Sequence, residues 1–102
     1  LLIEYQFLGD ESRKKIKWSY NDSDTKLLRV NYIEYVNGKA VSYKLIIGES
    51  GNPEKCYKTT DYKEAYDYGQ EEKYNLQDGI DKISNFFPGY LSPKNFKPKT
   101  KK

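Results

Sequence analysis

The chain has 102 residues, of which 36% are hydrophobic and eleven are tyrosine, and its formal net charge is +3. This length suits one domain with one core, and its apolar runs are far shorter than the ~20 residues that span a bilayer, so we expect no membrane insertion. The single cysteine, Cys56, excludes an intrachain disulfide in this sequence, and we expect a cytoplasmic location.

The charge is divided unevenly along the chain. Residues 94–102 contain five lysines and no acid, which leaves 13 basic and 15 acidic residues before them. We therefore expect a single domain over residues 1–91 with a net charge of −2, followed by a basic Lys/Pro tail or linker over residues 92–102. The role of the tail stays open among a flexible linker, a solubilising end and a phosphate-binding arm.

The N-terminal part predicts two strands. Leu2 to Leu8 is apolar and precedes a cluster of turn-forming residues at 9–12. From Arg13 the sequence alternates, with apolar Ile16, Trp18 and Tyr20 on one side and basic residues on the other, which is the period of a half-buried strand. The second strand should therefore present a basic outer face.

The strongest local signal is Asn37-Gly38, which lies between two alternating runs and suits a two-residue type I′ turn. The preceding strand begins near Lys26. This turn fixes a hairpin register that sets Tyr32 opposite Tyr43 and Val30 opposite Leu45, with Leu28 opposite Ile47 further along the same apolar face.

Two helices are predicted after the hairpin. Residues 48–54 suit a loop, and a short extended piece follows at Lys55 to Thr59. Asp61 and Glu64 fit a capping box that would begin a first helix running to Gly69. The second helix is capped by Asn75 and ends at Pro88-Gly89.

The expected fold is therefore α+β, in which a four-stranded antiparallel meander is followed by one or two C-terminal helices packed on one face, in the order ββββαα. The two helices would lie on the apolar face of the sheet. The opposite face would remain uncovered and carry the basic residues of the strands.

The chemistry of the chain argues against an enzyme. Without histidine it cannot form a Ser-His-Asp or Cys-His pair, and one cysteine cannot build an all-cysteine zinc site. No phosphate-cradling glycine motif or complete calcium-binding loop is present. We predict a non-catalytic protein without cofactor or metal, in which Cys56 is a buried structural thiol.

A binding role remains, and single-stranded nucleic acid is the first hypothesis. Lysines stand beside aromatic residues at several positions, a combination that stacks bases and offsets phosphate charge. The uncovered sheet face and the tail supply the candidate residues, which are Lys15, Lys17, Arg29, Tyr35, Lys44, Lys94, Lys97, Lys99, Lys101 and Lys102.

The alternative hypothesis is a protein–protein interaction domain, such as an adaptor, an inhibitor or an assembly component of a larger particle. Tyrosine is enriched in protein interfaces because it combines a large contact area with few rotatable bonds. Seven acids between Asp61 and Asp81 also favour this alternative, because they would repel a phosphate backbone. The sequence leaves both partner classes open.

Overall fold

The computed structural model describes residues 3–8, 14–91 and 100–101, and it describes side chains for residues 14–91. The strands are β1 (Ile3–Leu8), β2 (Lys14–Tyr20), β3 (Leu27–Val36), β4 (Lys39–Ile47), β5 (Pro53–Lys63), β6 (Tyr68–Lys73) and β7 (Thr100–Lys101). One α-helix, α1 (Leu76–Phe86), follows β6, and a 3₁₀ turn at Glu64–Tyr66 joins β5 to β6.

All strand pairs in the described part of the chain are antiparallel, and they form one sheet in the order β6-β5-β4-β3-β2-β1-β7. The first six strands are therefore neighbours in chain order, as a meander requires. The predicted α+β class, antiparallel sheet and C-terminal helix are confirmed. The predicted number of four strands is wrong, because β5 and β6 extend the sheet on one edge and β7 pairs with β1 on the other.

The hairpin of β3 and β4 has the predicted turn. Asn37 and Gly38 both have positive φ, at 53° and 80°, as a type I′ turn needs. The ladder places Tyr32 opposite Tyr43 and Val30 opposite Leu45 and continues to Arg29 opposite Ile46. The two tyrosine rings are stacked with centroids 6.1 Å apart, so this predicted cross-strand contact is present.

The predicted helix from Asp61 to Gly69 is wrong. The extended piece foreseen at Lys55 to Thr59 is part of the eleven-residue strand β5, whose partner β6 begins at Tyr68. Asp61 has a left-handed φ of 50°, and the β5–β6 register shifts between Thr60 and Lys63. A residue in this conformation cannot cap a helix, so the chain bends and continues as a hairpin.

The second predicted helix is confirmed as α1. The Asn75 side chain accepts a hydrogen bond of 2.9 Å from the backbone N–H of Asp78, which satisfies one of the unpaired donors at the helix start. After the helix, the backbone N–H of Phe87 bonds to the carbonyl of Ile83 at 2.8 Å. Among the described residues, no helix has the length and apolar character needed to cross a membrane.

The main core lies between α1 and one face of the sheet. Trp18, Val30 and Leu45 are fully buried on that face, and Ile83 of α1 is fully buried against them. The rings of Phe87 and Trp18 form a T-shaped pair with centroids 5.1 Å apart, and the indole N–H of Trp18 donates to the carbonyl of Tyr90 at 2.9 Å. Aromatic side chains thus supply much of the packing that a chain poor in aliphatic residues needs.

The other side of the sheet, which we call the open face, is partly covered by the end of the β5–β6 hairpin. This end, residues 61–69, is called the arm. Strands β2 and β5 are three positions apart in the sheet, or roughly 14 Å at ~4.8 Å per strand. Even so, Glu64 of the arm reaches Lys15 of β2 at 2.6 Å, and Tyr62 packs in a second small core with Ile33 and Ala40. The arm therefore leans back over the open face.

Candidate functional site

The open face gathers four of the basic residues named from sequence. The ladders place Lys17 beside Asn31 and Asn31 beside Lys44, while Arg29 lies beside Ser19 one step along β3. Lys15 and Lys17 share this face because side chains two residues apart on a strand point the same way. The structure thus brings these four basic residues onto one side of the sheet.

Tyr35 also lies on the open face, at the hairpin end of β3 two residues beyond Ile33, with 47% of its surface exposed. The tail candidates lie elsewhere. Lys101 belongs to β7, whose backbone pairs with β1 at Tyr5. The remaining tail candidates fall outside the described residues, and these are Lys94, Lys97, Lys99 and Lys102.

Carboxylates of the β5–β6 hairpin neutralise the lysines of the open face. Glu64 lies 2.6 Å from the Lys15 Nζ and 3.9 Å from the Lys17 Nζ, and Glu71 of β6 lies 3.1 Å from the Lys44 Nζ. The lysine side chains are also mostly covered, with 16 to 24% exposed. Charges paired in this way present a weak field to an incoming phosphate.

Arg29 differs from these lysines. It is half-buried on β3, and no carboxylate of the described residues forms an ion pair with it. The ladders also set Lys55 opposite Ile46 and Lys73 opposite Tyr57 on this face, and neither lysine forms an ion pair with a described carboxylate. The pairing of the candidate lysines still lowers the positive potential of the open face below what its sequence suggests.

Under the arm, the open face contains a polar cavity of about 200 Å³. Its floor includes the buried hydroxyls of Ser42 and Thr59. Its remaining lining comes from β3, β4, the arm and β6, and consists of Asn31, Lys44, Tyr62, Asp67, Tyr68, Gly69 and Glu71. The cavity exists because the arm bends over a sheet face whose residues here are small or polar.

Hydrogen bonds within the arm hold it in its bent shape. The Tyr62 hydroxyl donates to Asp67 at 3.0 Å, and the backbone N–H of Asp67 donates to the carbonyl of Glu64 at 3.2 Å. Gly69 lies so close to β5 that an added Cβ would be 2.6 Å from Thr59 Cγ2 and 2.7 Å from the Thr60 carbonyl. Only glycine fits this approach, so β6 returns directly alongside β5.

The held arm displays exposed aromatic residues. Tyr66 and Tyr68 are 81% and 71% exposed. The neighbouring β3–β4 hairpin end exposes Tyr35 and about half of Val36, and an ion pair of 3.7 Å between Lys39 and Asp61 joins the two ends. Val36 points to the opposite face of the sheet, so we call the three exposed tyrosines, Tyr35, Tyr66 and Tyr68, the tyrosine surface.

Sequence reasoning missed Tyr66 and Tyr68 because it placed them on a helix. The β-branched and aromatic residues at positions 57, 59, 60 and 62 were the available signal for a longer strand. Two aspartates, Asp61 and Asp67, tolerate left-handed φ and mark the two bends of the arm. A hairpin assignment from those residues would have put both tyrosines at an exposed turn.

A half-buried polar network lies at the C-terminal end of α1. The Tyr32 hydroxyl donates to Glu34 at 3.0 Å, and Lys82 lies 3.5 Å from Glu34 and 5.1 Å from the centre of the Tyr43 ring. Burial, and then the neighbouring Glu34, raise the pKa of Tyr32 and raise that of Tyr43 to about 12. Both phenols are therefore neutral at physiological pH, and the network links α1 to the sheet.

Cys56 is buried on β5 against α1, with 4% of its surface exposed. Burial raises the pKa of its thiol to about 11, so the reactive thiolate is scarce at neutral pH. Its sulfur lies directly beneath Gly79 of α1. The location is that of a packing residue.

Among the residues that the structure describes, no group of three or more His, Cys, Asp or Glu side chains is placed to hold a metal ion. No family model, curated protein or solved structure significantly matches the chain. A functional assignment therefore depends on the geometry of the arm and the open face.

Proposed function

We propose that this protein is a non-catalytic protein-binding module that contacts its partner through the tyrosine surface. The observation that carries the proposal is the exposure of Tyr66 and Tyr68, at 81% and 71%, on an arm fixed at both ends. Large aromatic side chains with few rotatable bonds gain contact area at low entropic cost, which is why tyrosine is common among the residues that dominate binding energy.

Preorganisation of the arm supports the proposal. The Glu64–Lys15 ion pair and the Tyr62–Asp67 hydrogen bond fix the turn before any partner arrives. Binding to a surface that is already ordered avoids the cost of ordering a loop. Tyr35 on the adjacent hairpin widens the surface beyond a single turn.

The electrostatics favour a protein partner over single-stranded nucleic acid. The candidate lysines of the open face, Lys15, Lys17 and Lys44, are paired with Glu64 and Glu71. Further exposed carboxylates at Asp67 and Glu72 lie in the arm and β6. Nucleic-acid binding by the open face and tail is the competing hypothesis, and it predicts an affinity that falls steeply with salt.

Site-specific photocrosslinking tests the proposal. A benzoylphenylalanine at position 66 is expected to give a discrete protein adduct in extract of the source cells, and excess unlabelled chain should suppress it. The same probe at position 85 is the matched control, because Asn85 is exposed on α1, away from the arm. Equal adducts at the two positions would overturn the proposal.

Once the partner is captured, truncation of one anchor gives the quantitative test. Tyr66→Ser is expected to weaken binding by at least about 2 kcal/mol, or about 30-fold, if Tyr66 is a central anchor. The exposure of Tyr66 means that this change removes little packing from the folded chain. An affinity within threefold of the parent chain, with nucleic acid recovered at position 66 instead, would favour the competing hypothesis.

A further inference from the structure

The cavity under the arm is lined by hydrogen-bonding groups of both kinds. Asn31 donates to the Ser42 hydroxyl at 3.1 Å, and the Lys44 ammonium lies 3.1 Å from Glu71. Asp67 accepts from Tyr62 at 3.0 Å. Ammonium, amide and hydroxyl donors therefore share one cavity with carboxylate and amide acceptors.

This lining excludes two classes of ligand. An apolar molecule would displace water from these groups without replacing its hydrogen bonds, which is costly. An anion would meet two carboxylates, Asp67 and Glu71, and a single ammonium, Lys44, so the net charge of the lining repels it. A neutral molecule rich in hydroxyls fits, because each hydroxyl donates and accepts at once.

The rim adds an aromatic contact. Tyr68 lines the cavity and yet is 71% exposed, so its ring stands at the opening. The C–H face of a pyranose ring is apolar and covers such a ring while the hydroxyls point toward polar groups. A volume of about 200 Å³ is below the roughly 300–1,000 Å³ of pockets for drug-sized ligands, so the cavity suits one ring.

From this geometry we propose that the cavity binds a single neutral hexopyranose unit, with Tyr68 stacked on the sugar ring and Asn31, Lys44 and Glu71 bonding its hydroxyls. The lysine–glutamate pair supplies a donor and an acceptor on one side of the cavity, and Asn31 supplies both on the floor of the sheet. This proposal does not depend on the proposed protein partner. The two proposals share Tyr68 and differ at Tyr66, which does not line the cavity.

Titration of the ¹⁵N-labelled full chain with glucose, galactose, mannose and N-acetylglucosamine tests the site by NMR. At least one sugar is expected to shift the backbone amides of Asn31, Ser42 and Gly69 with a dissociation constant on the order of millimolar. Glucose 6-phosphate and glucosamine are the charged comparisons. Saturable shifts of the cavity amides with a neutral sugar, and weaker shifts with the phosphate, support the proposal.

Matched variants separate the ring contact from general effects. Tyr68→Ala should weaken binding at least tenfold and Tyr68→Phe should retain it, while Tyr66→Ala on the same arm should leave the affinity unchanged. The spectrum of each variant reports its own folding. The proposal is overturned if none of the four neutral sugars shifts the cavity amides, if the phosphate binds more tightly than glucose, or if Tyr68→Ala binds as well as the parent. Loss of the protein partner in Tyr66→Ser would leave it standing.

Discussion

Gly79→Ala should change the unfolding free energy through two opposing effects, a gain in helix propensity and a steric overlap with Cys56. Gly79 is buried near the start of α1, and within a helix alanine is favoured over glycine by about 1 kcal/mol. The added Cβ, however, would overlap the Cys56 sulfur and lie 3.2 Å from the Cys56 Cβ. Overpacking of this kind costs about 1–3 kcal/mol, so a net destabilisation of about 1 kcal/mol is expected.

Removal of the sulfur should reverse that sign. Cys56→Ala alone is expected to cost about 1 kcal/mol, the centre of the range for single substitutions. In the double variant, the new Cβ of residue 79 occupies space left by the sulfur, so the helix-forming advantage of alanine is recovered. The double variant should then be about as stable as the parent, which corresponds to a coupling of about −2 kcal/mol between the two sites.

Urea unfolding followed by Trp18 fluorescence measures all four members of this cycle. Asn85→Ala at an exposed position of α1 is the control for helix propensity and should be neutral or slightly stabilising. Stabilisation of the parent chain by Gly79→Ala, or additivity of the two substitutions within about 0.5 kcal/mol, would contradict an overlap between the new Cβ and the Cys56 sulfur. Additivity would mean that α1 does not pack on β5 at the described distance.

Three further results are expected. Asn75→Ala should lower the unfolding free energy by about 1 kcal/mol, because the helix start loses its cap, and a parent-like urea midpoint would contradict this. The unfolding free energy should fall between pH 10 and pH 12, because the unfolded state releases the Tyr43 proton near pH 10 and the folded state releases it near pH 12. Urea titrations at a series of alkaline pH values measure this fall, and a flat profile would contradict it. Glu71→Gln should strengthen binding to a labelled single-stranded oligonucleotide more than Glu72→Gln does, since only Glu71 is ion-paired to Lys44; equal effects would show that net charge alone matters.

Local rules predicted those parts of the fold in which local and tertiary preferences agree. The Asn37-Gly38 turn needs only the φ freedom of two residues, and the register that follows places Tyr32 beside Tyr43. The cap of α1 is equally local, because Asn75 bonds to a backbone group three residues away. Each of these signals acts within a few residues, so it can be recognised in one sequence.

The arm could not be predicted in this way. The spacing of Asp61 and Glu64 matches a capping box, but the competing contacts come from residues far away in the chain. Glu64 pairs with Lys15, 49 residues earlier, and Tyr62 is buried with Ile33 and Ala40. These tertiary contacts and the pairing of β5 with β6 outweigh a weak local helix preference.

The sequence predicted which face of the sheet carries the candidate cations, but it did not predict that carboxylates pair with the lysines among them. Alternation along β2, β3 and β4 correctly set Lys15, Lys17, Arg29 and Lys44 on one face. Their ion pairing depends on carboxylates of the β5–β6 hairpin, whose arm was assigned to a helix. Because the arm was predicted to be a helix, the expected surface lacked the carboxylates that pair with its lysines.

The buried indole of Trp18 gives the molecule an optical reporter of its own. It is the one tryptophan in the chain, it lies against Phe87 in the centre of the core, and its N–H is bonded to the backbone of Tyr90. Any event that separates the segment after α1 from the sheet exposes this ring to water and moves its emission to longer wavelength. Ligand binding confined to the arm and the open face leaves the ring covered, so the emission wavelength distinguishes surface binding from opening of the core.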